Sequence, residues 1–181
     1  MAWSVPLTAV SNATLTAAQW NASVRDNLLE TAPAKATAAG QHFVSTAANA
    51  IVARTPQAQT LAPGTQTTTS TTYANLATTG PQVTVTTGTS AMVILSSKMT
   101  QNTSTAEMFA AFDVTGASAI AANDTDSISM QPATAAGNSI RVSAVLFLTG
   151  LTPGTNTFTM KYRVTAGTGS YDRRHLAVIP W

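Results

Sequence analysis

From Ile140 to Val164 apolar and polar residues alternate. Ile140, Val142, Ala144, Leu146 and Leu148 stand against Arg141, Ser143, Val145, Phe147 and Thr149, the period of two of a strand with one buried face. Beyond Pro153-Gly154 a second run sets Phe158, Met160, Tyr162 and Val164 against Thr159, Lys161 and Arg163. Two such runs flanking a polar, Gly-containing loop predict an antiparallel hairpin. It is the most apolar hairpin the pattern offers, and the other β segments are expected to pack on it.

The same reading from about residue 67 predicts strands at Thr71–Leu76, Gln82–Thr86, Ala91–Lys98, Glu107–Val114, Ser127–Met130, Ile140–Phe147, Asn156–Val164 and His175–Ile179. Gly80-Pro81, Thr87-Gly88, Thr115-Gly116, Ala136-Gly137, Pro153-Gly154 and Gly167-Thr168-Gly169 punctuate them. Short strands at regular turn spacing, with no helical period between them, predict a mainly β chain. Residues 61–181 are expected to form an antiparallel β-sandwich of the jelly-roll kind.

Residues 1–60 follow another pattern: an N-terminal arm, one short α-helix and a small β-hairpin. Thr16-Ala17-Ala18-Gln19 fits a capping box. The helix after it places Ala17, Trp20, Val24, Asn27 and Leu28 on one stripe, and Pro33 limits it at about Ala32. A helix of ~15 residues is marginal alone, so its stripe needs this subunit's sheet, a symmetry mate or another protein. Trp3 sits in an arm too short to bury it, and either packs back on its own domain or docks on another subunit. His42-Phe43-Val44 and Ala50-Ile51-Val52-Ala53 flank an Ala-Ala-Asn turn and predict the hairpin, and Pro56 to Gly64 reads as a linker.

Composition narrows the functions. Charged residues make up 9% of the chain, while Ala and Thr together exceed a third of it. A surface clothed in hydroxyls suits a protein held in an assembly better than a crowded soluble monomer. The net charge of +2 is spread thinly and leaves no footprint for nucleic acid. With no cysteine, disulfides and thiolate chemistry are excluded. The start of the chain lacks the basic and apolar regions of a signal peptide, and no apolar run reaches the ~18 to 20 residues of a membrane helix. The expectation is a protein made in the cytoplasm without a signal and without a membrane span.

No catalytic constellation is visible. Asn123-Asp124-Thr125-Asp126-Ser127 offers oxygen ligands but lacks the Gly and Glu of a calcium loop, and reads as a solvated turn. His42 and His175 have no second ligand at metal spacing, and Tyr171-Asp172-Arg173-Arg174 reads as structural. We expect no enzyme activity, no cofactor and no metal. Trp181 fits a core position or an interface equally well.

Thr16-Ala17-Ala18-Gln19-Trp20-Asn21, followed by Val24-Arg25-Asp26-Asn27-Leu28-Leu29, resembles an N-terminal signature of accessory virion proteins of tailed actinobacterial phages. Trp20 departs from the Leu of that pattern. Gly40 to Val44 with Asn49 to Arg54 is similar to a piece common in phage fibre and tail chains, and Leu148 to Gly154, Lys161 to Val164 and Arg174 to Pro180 are similar to their C-terminal β-sandwich. The resemblance implies a non-enzymatic virion structural protein on the particle exterior, commonly a homotrimer, partnered by the major capsid protein or another virion protein. It points to a capsid decoration or head-fibre protein anchored through residues 1–60, with Trp3, Trp20, Val24, Arg25, Leu28 and Leu29 as interface candidates. The alternative is a minor tail or tail-fibre protein whose sandwich binds a receptor or glycan, although aromatics are only 6% of the chain, few for sugar sites.

Overall fold

The computed structural model describes residues 3–8, 10–61, 64–131 and 137–181. The chain divides into two compact units, Met1–Thr55 and Pro56–Trp181.

In the first unit Thr16 caps helix α1 (Ala17–Trp20) as its spacing predicts: Gln19 N donates to Thr16 Oγ1 at 3.2 Å, and Thr16 N donates to Gln19 Oε1 at 3.0 Å. The helix then widens into a π-helical segment, Asn21–Asp26. This turn carries the following residues off the expected 3.6-residue stripe, so Leu28 is exposed while Asn27 is buried, and Trp20 just before it is exposed as well. Pro33 does not end this helix at Ala32. It lies in the first turn of a second short helix, α2 (Ala32–Lys35), where a missing N–H breaks no helical bond. Strands β1 (His42–Ala47) and β2 (Ala50–Arg54) form the expected hairpin, Val44 opposite Val52, with Asn49 at φ 56° in the turn.

Among its described residues the second unit holds nine strands: β3 (Gln57–Leu61), β4 (Gln66–Thr68), β5 (Gln82–Thr87), β6 (Ser90–Gln101), β7 (Met108–Gly116), β8 (Ile128–Met130), β9 (Ser139–Thr149), β10 (Gly154–Val164) and β11 (Gly169–Pro180). One sheet runs β5-β10-β7-β8, and the other runs β3-β11-β6-β9 with β4 also on β11. The antiparallel pairs nest: β7 with β8, β6 with β9, β5 with β10, β3 with β11. That is one long hairpin wrapped into two sheets, the jelly roll.

Three predicted features differ. The Ile140–Val164 hairpin does not form. Strand β9 is an edge strand on β6, and β10 lies between β5 and β7 in the other sheet. Alternation sets which face of a strand is buried, not which strand it pairs with, and residues 150–153 carry the chain from one sheet to the other. The Pro56 to Gly64 stretch is no linker, because it contains β3, an edge strand whose polar side chains meet water on both faces. Thr71–Leu76 makes no strand; Ala74 alone bridges Tyr162.

The core lies between the inner faces. Phe112 and Phe158 meet at 5.9 Å between ring centroids, and Tyr162 and Tyr171 at 4.8 Å. Both buried tyrosines reach an acceptor: the Tyr162 hydroxyl donates to Gly80 O at 3.0 Å, and the Tyr171 hydroxyl lies 2.7 Å from Arg163 O. In β11 a bulge sets Arg173 and Arg174 against one residue of β6, with Arg173 at φ 48°. The extra residue switches parity, so Tyr171 faces inward before it and Leu176 and Val178 after it. It also turns Arg174 inward, where Nη1 donates to Gly80 O at 3.2 Å and the guanidinium lies 5.7 Å from the Tyr162 ring centroid.

Candidate docking surface

The first unit has an inverted burial pattern. Among its described residues the buried ones are Asn27 and Glu30, both polar. Asn27 acts as a clamp. Its Oδ1 accepts from Ser4 N at 2.9 Å, and its Nδ2 donates to Ser23 O at 3.1 Å and to Ser4 O at 3.2 Å. Leu7 N donates to Ser23 Oγ at 2.9 Å, so the arm lies along the helix through polar contacts. Glu30 pairs with Lys35 at 2.9 Å. Trp3 N donates to Asn49 O at 2.8 Å, which ties the arm to the β1–β2 turn.

The large apolar side chains are left outside. Of the residues singled out from sequence, Trp3, Trp20, Leu28 and Leu29 are exposed, and Val24 is half-buried. Arg25 is exposed and paired with its neighbour, its Nη2 2.8 Å from Asp26 Oδ1. Trp20 and Val24 come together in a groove of ≈ 430 Å³ whose other wall is the arm, with Leu7, Val10 and Leu15. Trp3, Arg25, Leu28 and Leu29 do not line it. Sequence reasoning missed Leu7, Val10 and Leu15, although an apolar residue recurring every few positions of the arm was the signal for them. It placed Asn27 on the apolar stripe, whereas its side chain is the polar fastener of the unit.

The acidic loop of the sandwich is committed to an ion pair. Arg163 donates to Asp124 through Nε at 2.9 Å and through Nη2 at 2.5 Å, and the Tyr73 hydroxyl donates to Asp124 Oδ1 at 2.8 Å. The Arg163 hydrogen bond, helped by that of Tyr73, holds the Asp124 carboxyl below its ordinary range. Burial, then the bond to Asp124, pushes the Tyr73 hydroxyl up. The guanidinium also stacks 3.9 Å from the Phe109 ring centroid. Loop, strand and Tyr73 are thereby fastened together, and the carboxylate faces a cation the chain supplies itself. The His175 ring Nδ1 meets Thr60 Oγ1 at 2.7 Å. Among the described residues no group of three or more His, Cys, Asp or Glu is placed to hold a metal, and no helix is long and apolar enough to cross a membrane. Trp181 is half-buried, its ring 5.3 Å from that of Phe147.

No protein-family profile matches the chain, and no curated protein matches its sequence. Among solved structures the chain is similar to the VP2 subviral particle of infectious bursal disease virus, at 10% identity and a TM-score of 0.49, over 75% of this chain and 36% of that one. It is also similar to Eiger TNF from S. frugiperda, at 10% identity and a TM-score of 0.45, over 68% of this chain and 91% of that one. A third likeness is to the carbohydrate-binding module CBM6cm-2 of Cellvibrio mixtus lichenase 5A in complex with cellotriose, at 15% identity and a TM-score of 0.34, over 68% of this chain and 97% of that one.

Proposed function

We propose that this chain is a non-enzymatic accessory structural protein of a virion, a capsid decoration or head-fibre protein that docks on the particle through the unit Met1–Thr55. One observation carries the reading: that unit buries no large apolar residue among those described, yet exposes Trp3, Leu7, Val10, Trp20, Leu28 and Leu29. A segment that keeps its apolar residues outside is built to be covered. With Val5, Leu15 and Phe43 added, their fractional exposures run from 37% to 89%. At roughly 60–120 Å² per aliphatic side chain and ~150–250 Å² per aromatic one, they present about 400–800 Å² of apolar surface. One partner contributes ~800 Å² to an interface of standard size.

The test is to delete residues 1–33 and measure binding to purified particles. The expected result is loss of particle binding with the thermal melt of the sandwich retained. A truncated chain that still decorates particles overturns the anchor. Copy number per particle, by quantitative mass spectrometry against the major capsid protein, separates the shell from the tail. A simple fraction of the shell subunit belongs to a decoration protein, and a trace ratio to a minor tail protein.

A further inference from the structure

In a sandwich that water covers, outward residues are polar. The β5-β10 part of the other face obeys this: Thr84 and Thr157 pair through their hydroxyls at 2.9 Å, and Gln82 Nε2 donates to Thr159 Oγ1 at 3.0 Å. The β11-β6-β9 face does not. In register across β9, β6 and β11, Phe147 stands beside Met92 and Met92 beside Ile179, while the row two residues on reads Val145, Ile94, Ala177. Each of the six points outward, because its strand neighbours Leu146, Val93 and Val178 turn to the core. Val145 is 63% exposed and Phe147 59%. Farther along the same face is a charged row: Arg141 on β9, Lys98 on β6 and Asp172 on β11.

We infer that this face packs against the same face of a second copy, about a two-fold axis parallel to the strands. The charged row selects that arrangement. An axis running along β6 lays β9 of one copy over the partner's β11. Arg141 then meets the partner's Asp172, and Asp172 meets the partner's Arg141, so both pairs form at once. Lys98 falls on the axis, and its flexible stem reaches toward either Asp172. The same rotation sets Phe147 over the partner's Ile179 and Val145 over the partner's Ala177, apolar on apolar, as two sheet faces pack in a sandwich. The area is adequate. Three strands ~4.8 Å apart, eleven residues long at ~3.4 Å each, make a face of about 500 Å². Two such faces together bury about 1,000 Å², the least expected of a specific interface. The inference stands on the sandwich alone and survives if the particle reading fails.

Light scattering on the full chain in solution tests it. Wild type is expected at twice 18.6 kDa, and Val145→Lys at the monomer mass with an unchanged circular dichroism spectrum. Arg141→Asp sets Asp against the partner's Asp172, and Asp172→Arg sets Arg against the partner's Arg141, so each alone is expected to weaken association at least tenfold. Mixed one to one they form complementary pairs on both sides, and the doubled mass returns. Because Asp172 also accepts from Gly64 N and Arg173 N, should Asp172→Arg not fold, the single variants Arg141→Asp and Phe147→Lys, each expected to lower the associated mass, decide the test without the mixture. A monomeric wild type, as when the chain's own first unit covers the face, overturns the inference. So do a mass of three copies, which the family resemblance implies, a Val145→Lys chain of undiminished mass, and a mixture that associates no better than its components.

Discussion

Replacing Asn156 with Ala strikes the end of the sandwich where β10, the end of β5 and the turns after β7 and before β10 converge. Asn156 is fully buried. Its Nδ2 donates to Thr87 Oγ1 at 2.7 Å and to Thr152 O at 3.1 Å, and its Oδ1 accepts from Ser118 N at 2.7 Å. Alanine leaves the Ser118 N–H, on a buried residue, without its acceptor, at about 1–3 kcal/mol. The Thr87 hydroxyl can rotate and the Thr152 carbonyl keeps a second lone pair, so those two losses add roughly 1 kcal/mol together. The expected total is about 3 kcal/mol, or ~10 °C in midpoint for a domain of this size, read by urea and thermal unfolding of the sandwich. Asn156→Asp separates hydrogen bonding from shape. It keeps the acceptor for Ser118 but turns a second oxygen toward Thr152 O. Burial and that carbonyl disfavour the carboxylate, so the native pKa rises above the unfolded value of ~3.9 and the folded state binds the proton more tightly. Relative to wild type, the variant is therefore most stable below that unfolded value and loses stability as pH rises through the native pKa. An Ala variant within ~0.5 kcal/mol of wild type, or an Asp variant whose deficit does not change between acid and neutral pH, refutes the reasoning.

Two further predictions concern other contacts. The Asp124 carboxyl is depressed in the folded state by Arg163 and Tyr73, so its contribution is present above the unfolded pKa of ~3.9 and lost as pH falls through the folded value; Asp124→Asn is destabilised near neutral pH, and its deficit closes in acid, as urea midpoints at the two extremes would show, whereas a constant deficit contradicts the ion pair. Thr16→Ala removes the acceptor of Gln19 N and costs about 1 kcal/mol locally, so amide exchange over Ala17–Trp20 speeds up roughly fivefold while the sandwich melt stays fixed; unchanged exchange contradicts the cap.

What the sequence shows well is anything written in local alternation. The inward sides of β5, β6, β7 and β10 follow from their period of two, and Thr16 and Gln19 announce their own cap. What it does not show depends on partners distant in the chain. Strands β9 and β10 each alternate cleanly and adjoin in sequence, yet β9 pairs with β6 and β10 with β5 and β7, because the nested order is closed by contacts that local pattern does not encode. Strand β3 is invisible since an edge strand with both faces in water needs no apolar residue. Arg174 looks like a surface cation and is buried, because the bulge at Arg173 shifts the parity of β11 by one. The π-helical turn at Asn21–Asp26 has no marker in composition, and beyond it Leu28 stands outside while Asn27 lies under the arm, bonded to Ser4.

The distribution of polar groups explains why so little charge suffices. Within the sandwich Asn156 makes three hydrogen bonds and the tyrosine hydroxyls reach main-chain carbonyls, and at its surface Asp124 meets Arg163. Outside, solubility would ordinarily come from charge, yet the chain carries only 9% charged residues. Several of the apolar groups that this thin charge leaves uncompensated are gathered, Leu7, Val10, Leu15 and Trp20 along one groove of the first unit and Val145 and Phe147 on one face of the sandwich. Isolated exposed apolar residues need no explanation, but gathered ones do. A surface poor in charge and apolar in two defined places is costly for a free monomer, and it suits a subunit whose working state is to be covered there.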